Sequence, residues 1–126
     1  MQIGCTKKLL DTLDITVCNQ IKEHDLFCWS ANLLTIKGRK AVVVVNDSYQ
    51  FVFVLYGLKA KDSSQLKTLI ENGIRRCLEH ENFKEEVIDQ YFDQAKETVF
   101  TTTREQVTVA RLYRVCGYIE FMDEVV

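Results

Sequence analysis

The stretch AVVVVNDSYQFVFVLY, residues 41–56, decides the fold. It holds two apolar runs, residues 41–45 and 51–56, separated by five polar or turn-prone residues. Each run is rich in β-branched or aromatic side chains and is too short for a free-standing helix. Each therefore predicts a strand that is apolar on both faces. Such strands need cover on both sides, which favours a packed domain that combines a sheet with helices.

A third strand is predicted on the N-terminal side of these runs. Residues 26–36, LFCWSANLLTI, have aromatic and branched side chains that suit a strand better than a helix. Lys37, Gly38 and Arg39 then predict a tight turn, because Gly38 readily adopts the positive φ that hairpin turns demand. The three strands together predict an antiparallel meander, with residues 41–45 as its most buried strand.

Helices are predicted both before and after this meander in the chain. Thr6 is a suitable N-cap for a short amphipathic helix over residues 7–13. Asp62, with Gln65 three residues later, has the pattern of a capping box. The apolar positions that follow keep helical spacing as far as Leu78, so this segment is the clearest helix of the chain.

The remaining segments give weaker patterns. Asn82 and Glu85 repeat the capping-box pattern ahead of a second amphipathic helix. Residues 1–6 and 98–103 are expected to add short strands. The polar residues 15–25 predict an irregular connection, and we expect it to be the most mobile segment.

The stretch of residues 107–116 fits two interpretations. Its branched and aromatic residues alternate as in a strand, whereas Val109, Leu112 and Cys116 form an acceptable helix face that ends at Gly117. We favour the helix. Residues 118–122 then predict a short closing strand.

These elements predict the fold class. We expect a single globular α+β domain over residues 1–126. Its sheet should be mainly antiparallel, with a central three-stranded meander covered by amphipathic helices. At 126 residues, of which 47% are hydrophobic, the chain can bury a sizeable core without a metal or a disulfide.

Charge and cysteine content narrow the function classes. The formal net charge of −2 argues against a protein that binds nucleic acid through bulk positive charge. The five cysteines include no C-x-x-C pair, and the N-terminal residues lack the apolar stretch of a secretory signal. We therefore expect a cytoplasmic protein with reduced thiols. No apolar run reaches the roughly 20 residues that cross a bilayer, so no membrane partner is expected.

Three segments support a resemblance to a known family: FCWSANLLTI at residues 27–36, the run at residues 40–47, and VLYGLKAKD at residues 54–62. The chain resembles an uncharacterised bacterial domain that also occurs ahead of a plasmid open-reading-frame-like module in longer proteins. The likeness covers nearly the whole chain and implies no established activity. That family often has histidine after the tryptophan. This chain has Ser30 there, which weakens the case for a catalytic base at that position.

The residues themselves predict no reaction centre. Cys18, His24 and Cys28 lie close together in sequence, but their spacing matches no zinc pattern. His80 is better explained as a favourable residue at the end of a helix than as the base of a cysteine nucleophile. Fingerprints of nucleotide-binding folds and of hydrolases are missing. We therefore expect no catalytic residue, no metal and no cofactor, and an enzyme is the least favoured class.

Eight polar residues are the candidate binding residues. Asn32 is unusual because it lies inside an apolar strand, where its amide must be hydrogen-bonded. Arg111 and Arg114 would share a helix face and offer an anion site. A basic group is expected where the strands of the meander turn, unless these side chains only solubilise the strand ends. It consists of Lys37, Arg39, Lys40, Lys59 and Lys61.

Two functions follow from these residues. The first is a non-enzymatic protein-interaction or regulatory module that binds another protein or a second copy of itself. The resemblance links it to plasmids or phages and to a host protein as target. The alternative, less favoured, is a nucleic-acid or phosphate binder that uses the basic residues together with Arg111 and Arg114.

Overall fold

The structure is a computed structural model that describes residues 1–104 and 106–125. The described residues form five strands, four α-helices and two short 3₁₀ helices, which make one α+β domain. In chain order they are β1 Gln2–Cys5, α1 Lys7–Leu13, a 3₁₀ helix Asp25–Phe27, β2 Cys28–Ile36, β3 Arg39–Asn46, β4 Val52–Leu58, a 3₁₀ helix Ala60–Gln65, α2 Leu66–His80, α3 Glu85–Gln94, β5 Val99–Thr102 and α4 Gln106–Val125.

The strands form one open sheet in the order β4-β3-β2-β1-β5. Strands β2, β3 and β4 pair antiparallel in succession. Strand β1, in contrast, runs parallel to both of its neighbours, β2 and β5. The sheet is therefore mixed, and the prediction of a mainly antiparallel sheet is wrong. The reason is that helices separate β1 and β5 from the strands beside them, and helical crossovers connect parallel strands.

The valine run of β3 is buried on both faces, as its sequence predicts. Val42 and Val44 belong to a large core beneath α1, α2 and α3, on what we call the first face. Val43 and Val45 lie in a smaller core beneath α4, on the second face. A strand in the middle of a two-sided domain has no solvent-facing side, so an uninterrupted apolar run is stable there.

The turn between β2 and β3 also follows its sequence. Lys37 and Gly38 both have positive φ, 50° and 75°. Two such residues form the hairpin turn whose twist matches that of the flanking strands.

The first helix begins as predicted, whereas the next two begin elsewhere. Thr6 caps α1 by accepting a hydrogen bond from the Leu9 N–H. Asp62 does not start a helix at its N-cap, because its carboxylate instead accepts from the Lys59 N–H at 2.8 Å within a 3₁₀ helix. Asn82 has the left-handed φ of 67° just after α2, and α3 begins only after Lys84. Polar residues of this kind favour turns as well as caps, so the pattern alone misplaced both starts.

The C-terminal segment is one continuous helix. The helical interpretation of residues 107–116 is confirmed, but the predicted end at Gly117 and the strand at 118–122 are wrong. A glycine in a helix costs about 1 kcal/mol relative to alanine. Burial of Leu112 and Cys116, with partial burial of Ile119, outweighs that cost. Neither α4 nor any other described helix is long and apolar enough to cross a membrane.

The connection before β2 is irregular, as predicted, and passes around the β5 side of the sheet. The Cys18 N–H donates to the Phe100 carbonyl at 2.7 Å, on the outer strand. Further along, the Gln2 side chain donates to the Ile21 carbonyl at 2.6 Å. These bonds tie the segment to β5 and β1, and its mobility stays a prediction.

Candidate interaction surface

Helix α4 covers only part of the second face of the sheet. It packs mainly on β2 and less on β3. Strand β4, at the edge, is left open on this side. Its side chains alternate, and Val52, Val54 and Tyr56 point to the second face with 37%, 39% and 51% of their surface exposed. Phe53 and Leu55 point to the first face, where they pack on the large core.

The side of α4 that faces β4 is also apolar and exposed. Its rotation is set by Arg111, whose guanidinium donates to the main-chain carbonyls of Asp47 and Tyr49 in the β3–β4 loop. Helical spacing places Tyr118 and Met122 on the same side as Arg111, seven and eleven residues later. Tyr118, Met122 and the adjacent Phe121 are exposed by 58–66%.

These side chains form one surface, which we call the open face. Its members share large apolar side chains, exposure, and a place on the second face at or beside β4. They are Val52, Val54, Tyr56, Tyr118, Phe121 and Met122. Large exposed apolar patches on a folded domain mark interaction sites.

The strand at the border of this face has an unprotected edge. Residues 52–58, VFVLYGL, carry no charge, and no other described strand pairs with β4 on its outer side. The Asn46 N–H bonds the Phe51 carbonyl at 2.9 Å. By the alternation of an antiparallel pair, Val54 and Tyr56 then direct their N–H and C=O groups outward. Protein sheets commonly protect such edges with charged residues.

Charge is divided along α4. Arg111 and Arg114 lie in its N-terminal half, whereas Glu120, Asp123 and Glu124 lie in its last turns. Asp123 is engaged with the hairpin turn, where its carboxylate lies 3.5 Å from the Lys37 ammonium. Arg114, Glu120 and Glu124 make no ion pair with another described residue and are exposed. The helix therefore presents opposite charges at its two ends.

A buried polar cluster holds the β3–β4 loop against the start of α4. The Asp47 side chain is 1% exposed and lies 2.8 Å from the Arg104 guanidinium. The Ser30 hydroxyl donates to the other Asp47 oxygen at 2.5 Å. Burial acts to lower the pKa of Arg104, but its hydrogen bond to Asp47 and the nearby negative groups outweigh burial and raise that pKa. Because each carboxylate oxygen has a partner, we interpret this cluster as structural.

Sequence reasoning missed this cluster, although a signal was present. Ser30 lies near the start of β2, and Asp47 directly follows the last residue of β3, the strand that pairs with β2. The register pairs Ser30 with Val45, close to Asp47. Buried polar side chains must be hydrogen-bonded, so two of them facing each other across paired strands predict a polar cluster at that place.

Asn32 lies in the core rather than in a pocket. The Thr6 hydroxyl donates to its carbonyl oxygen at 2.6 Å. Its amide group faces the Cys116 sulfur of α4 at 3.7 Å. The amide is thus satisfied between the sheet and the helix, as a buried amide must be. Burial raises the pKa of the Cys116 thiol.

The predicted basic residues of the meander lie at one end of the sheet, apart from Arg111 and Arg114. Pairing of Ile36 with Arg39, and of Lys40 with Leu58, brings the hairpin turn and the end of β4 to one end of the sheet. Lys37, Arg39, Lys40 and Lys59 lie there, with Lys61 two residues further along the chain. Arg111 contacts the opposite end, at the β3–β4 loop. Arg114 is exposed on α4.

Besides the open face, the domain has an apolar cleft near the first face. It is a cleft of about 380 Å³ between the β3–β4 loop, the end of α2 and α3. Phe27, Tyr49, Phe51, Phe83 and Tyr91 supply its aromatic lining. Burial raises the pKa of Tyr91 to about 12. The Tyr91 hydroxyl is used internally, since it accepts from the Trp29 indole at 3.0 Å.

The metal candidates of the sequence do not converge. Cys18 is exposed, Cys28 is buried, and His24 uses its ring nitrogen to accept from the Leu26 N–H at 3.0 Å. Among residues 1–104 and 106–125, no group of three or more His, Cys, Asp or Glu side chains is arranged to hold a metal ion.

Comparison with known proteins identifies the family. One family model, described as a domain of unknown function, matches residues 2–126. Neither curated proteins nor solved structures gave a match. The prediction of an uncharacterised domain is confirmed, while bacterial origin and a plasmid setting stay predictions. The chain belongs to the family described as domain of unknown function DUF6933.

Proposed function

We propose that this protein is a non-enzymatic protein-interaction module that binds its partner through the open face. The observation that carries the proposal is the exposure of six large apolar side chains, each by 37–66%, on one side of the domain. A folded chain gains stability by burying such groups against its own core. Here the core of the second face stops at β3, and the remaining surface needs a partner.

The size of the open face fits this role. With aromatic side chains of roughly 150–250 Å² each and somewhat smaller aliphatic ones, the six exposed fractions amount to about 600 Å². At roughly 25 cal/mol per Å², covering this area contributes about 15 kcal/mol before association costs of about 4–15 kcal/mol. A partner can therefore bind with a net gain.

The resemblance adds a biological setting to this proposal. A domain that occurs beside a plasmid module, and has no catalytic fingerprint of its own, fits a plasmid- or phage-linked regulator that binds a host protein. The plasmid or phage setting rests on the resemblance, and the open face provides the surface for binding.

The test compares retention of partners by matched variants. The tagged protein is incubated with nuclease-treated host lysate, and retained proteins are identified by mass spectrometry. Tyr118→Ser combined with Met122→Ser should abolish retention of the partner, whether that partner is a host protein or a second copy of the chain. Val87→Ser, on α3 and exposed by 45%, should leave it unchanged. Equal retention by both variants would refute a role for the open face.

The basic end of the sheet favours a second candidate function, binding of nucleic acid or phosphate. Register pairing places Arg39, Lys40 and Lys59 at one end of the sheet, beside Lys37. Phosphate binding through such residues falls steeply with added salt. Binding of a 20-base-pair duplex at 20 mM salt, lost in Lys40→Glu combined with Lys59→Glu, would support it. No binding at 20 mM salt would exclude it.

A further inference from the structure

We infer that the partner enters as an extended chain segment that adds a strand to the outer edge of β4, in a groove between β4 and α2. The segment has apolar side chains at alternate positions and an acidic side chain between two of them. This inference rests on the proposed function, because the apolar side chains of the added strand would cover the part of the open face that β4 supplies.

The outer edge of β4 has main-chain groups to which a strand can bond. Val54 and Tyr56 direct their N–H and C=O groups outward, and the same alternation applies to Val52. Regular pairing with β3 is interrupted at Gly57, where φ is 75°. The regular edge is therefore residues 52–56, which match an extended segment of about five residues.

Helix α2 stands over this edge and makes it one wall of a groove. Among the strands, α2 packs mainly on β4. Gly73 permits the close approach, since a Cβ there would lie 2.3 Å from the Phe53 ring. The groove has a volume of about 270 Å³, and we call it the edge groove. It is lined by residues 52–55, Gly73, Arg76, Cys77, His80 and Glu81.

One outward main-chain group of β4 points into the edge groove. Burial and the nearby Glu81 raise the pKa of the Cys77 thiol, while a hydrogen bond from the Val52 N–H acts to lower it. The Val52 N–H is thus directed at α2 from the edge of the sheet. A segment that lies in the edge groove therefore reaches the outward groups of β4.

The position of α2 selects an extended segment rather than a second folded copy. Edge-to-edge pairing of two copies would hold their β4 strands about 4.8 Å apart. Their α2 helices, each packed on its own β4, would then lie too close, because packed helices need about 8–10 Å between their axes. A helical partner would satisfy its own main chain and leave the edge of β4 unpaired. A strand with no helix above it avoids both problems.

The two sides of the added strand require different side chains. Directly opposite residues on paired strands point to the same face of a sheet. Side chains opposite Val52, Val54 and Tyr56 therefore lie on the second face, where those three residues are exposed by 37–51%. Apolar side chains there bury this surface. The side chain opposite Phe53 instead points to the first face and enters the edge groove.

Arg76 selects the charge of the side chain that enters the edge groove. The adjacent Arg75 is engaged, with distances of 2.7 and 3.1 Å to Glu85 and Asp89. Arg76, in contrast, is exposed and makes no ion pair with another described residue. Glu81 also lines the groove, but it follows the last residue of α2. An acidic side chain in the groove therefore finds a guanidinium ready for a charge-assisted hydrogen bond.

Selection from a random peptide library tests the added strand. The full chain is used to select binders from displayed peptides of about seven residues. Enriched sequences should alternate branched or aromatic residues with polar ones, and one polar position should be acidic. Enrichment of sequences without this alternation, or no enrichment at all, would overturn the inference.

A charge exchange tests the role of the edge groove. Arg76→Glu should weaken binding of the best peptide about tenfold, and it should select a basic residue in place of the acid. Lys67→Glu changes an exposed residue of α2 that does not line the groove, and it should alter neither the affinity nor the selected charge. The same preference for an acid in Arg76→Glu would contradict the inference.

Main-chain pairing is tested with N-methylated forms of the best peptide. In a paired strand, alternate residues direct their N–H groups to the neighbouring strand. Methylation of one alternate set should weaken binding about tenfold or more, and methylation of the other set should change it less than about threefold. Equal effects of the two sets would exclude strand pairing. In the complex, NMR should show slower hydrogen exchange at the Val54 and Tyr56 amides.

Failure of this inference is distinguishable from failure of the proposed function. If no alternating peptide binds but Tyr118→Ser with Met122→Ser abolishes retention of a host protein, the proposed function stands and the inference fails. If the best peptide displaces a host protein that this double variant retains unchanged, the edge groove binds the partner and the open face does not. Protection of the Val54 and Tyr56 amides in a dimer of the free chain would overturn the inference, because a second copy would then hold the edge.

Discussion

Replacement of Asp47 by asparagine is the sharpest test of how the second face is held together. The Asp47 carboxylate is 1% exposed, lies 2.8 Å from Arg104, and accepts from the Ser30 hydroxyl at 2.5 Å. Asparagine keeps the size of the side chain but removes the charge and turns one acceptor into a donor. Arg104, whose side chain is 17% exposed, then keeps a largely buried charge without its close partner.

The expected loss is large for a single substitution. Removing one member of a buried ion pair costs about 3–5 kcal/mol. We expect the lower value, about 3 kcal/mol, because Arg104 also lies 3.7 Å from Asp25. For a chain of this size that loss lowers the melting temperature by about 10 °C. Urea unfolding followed by circular dichroism measures the free energy directly.

A matched control separates burial from charge. Asp25→Asn changes the other carboxylate near Arg104, but that side chain is 57% exposed. Its loss should stay within about 0.5 kcal/mol, as for exposed ion pairs. Asp47→Leu with Arg104→Met should recover much of the stability, because an apolar pair leaves no buried charge. A loss below 1 kcal/mol for Asp47→Asn would refute the assigned role of this cluster.

The remaining predictions concern packing and thiol reactivity. A Cβ at Gly73 would lie 2.3 Å from the Phe53 ring. Gly73→Ala should therefore lower the free energy of unfolding by about 1–2 kcal/mol, although alanine has the better helix propensity. An unchanged free energy in urea unfolding would contradict the close approach of α2 to β4. Gly117→Ala, where the added methyl meets no atom, should instead raise that free energy by up to about 1 kcal/mol, and a loss would contradict the open position. Burial raises the pKa of Cys5 to about 12, so its thiolate fraction at pH 8 is negligible. Iodoacetamide should therefore label the exposed Cys18, whereas Cys5 should react only after unfolding. Peptide mapping that finds both cysteines labelled equally in the folded protein would contradict this order.

The domain has two exposed apolar sites, the aromatic cleft and the open face. The aromatic cleft between α2 and α3 is concave, but its tyrosine hydroxyl is already bonded to Trp29. The open face is exposed and adjoins the unpaired outer edge of β4. An exposed apolar surface beside an open strand edge suits a protein partner better than a small molecule, which usually binds in a concave pocket.

The secondary structure was largely readable from local patterns. The valine run, the hairpin turn at Gly38 and the N-cap at Thr6 each depend on residues close together in the chain. The misplaced helix starts at Asp62 and Asn82 show the limit of that approach. Both residues satisfy backbone groups in turns, and the same side chain can cap a helix or a turn.

The open face was beyond reach of the sequence for a physical reason. The uncharged run at residues 52–58 was predicted as a strand, but nothing local shows that it becomes an edge. The sequence pattern divides the apolar residues of α4 between a helix and a strand, because glycine commonly ends helices and the local sequence does not show the core that continues beneath Gly117.

By itself the sequence determined that the chain folds into an α+β domain with a two-sided central strand, because periodicity and turn chemistry act over a few residues. Only the tertiary structure decided the parallel pairing of β1, the burial of Asn32 and Asp47, and the separation of the basic residues. It also decided that α4 packs on β2 and β3 and leaves β4 open on the second face. Strand order and coverage arise from contacts between residues far apart in the chain, which no local pattern encodes.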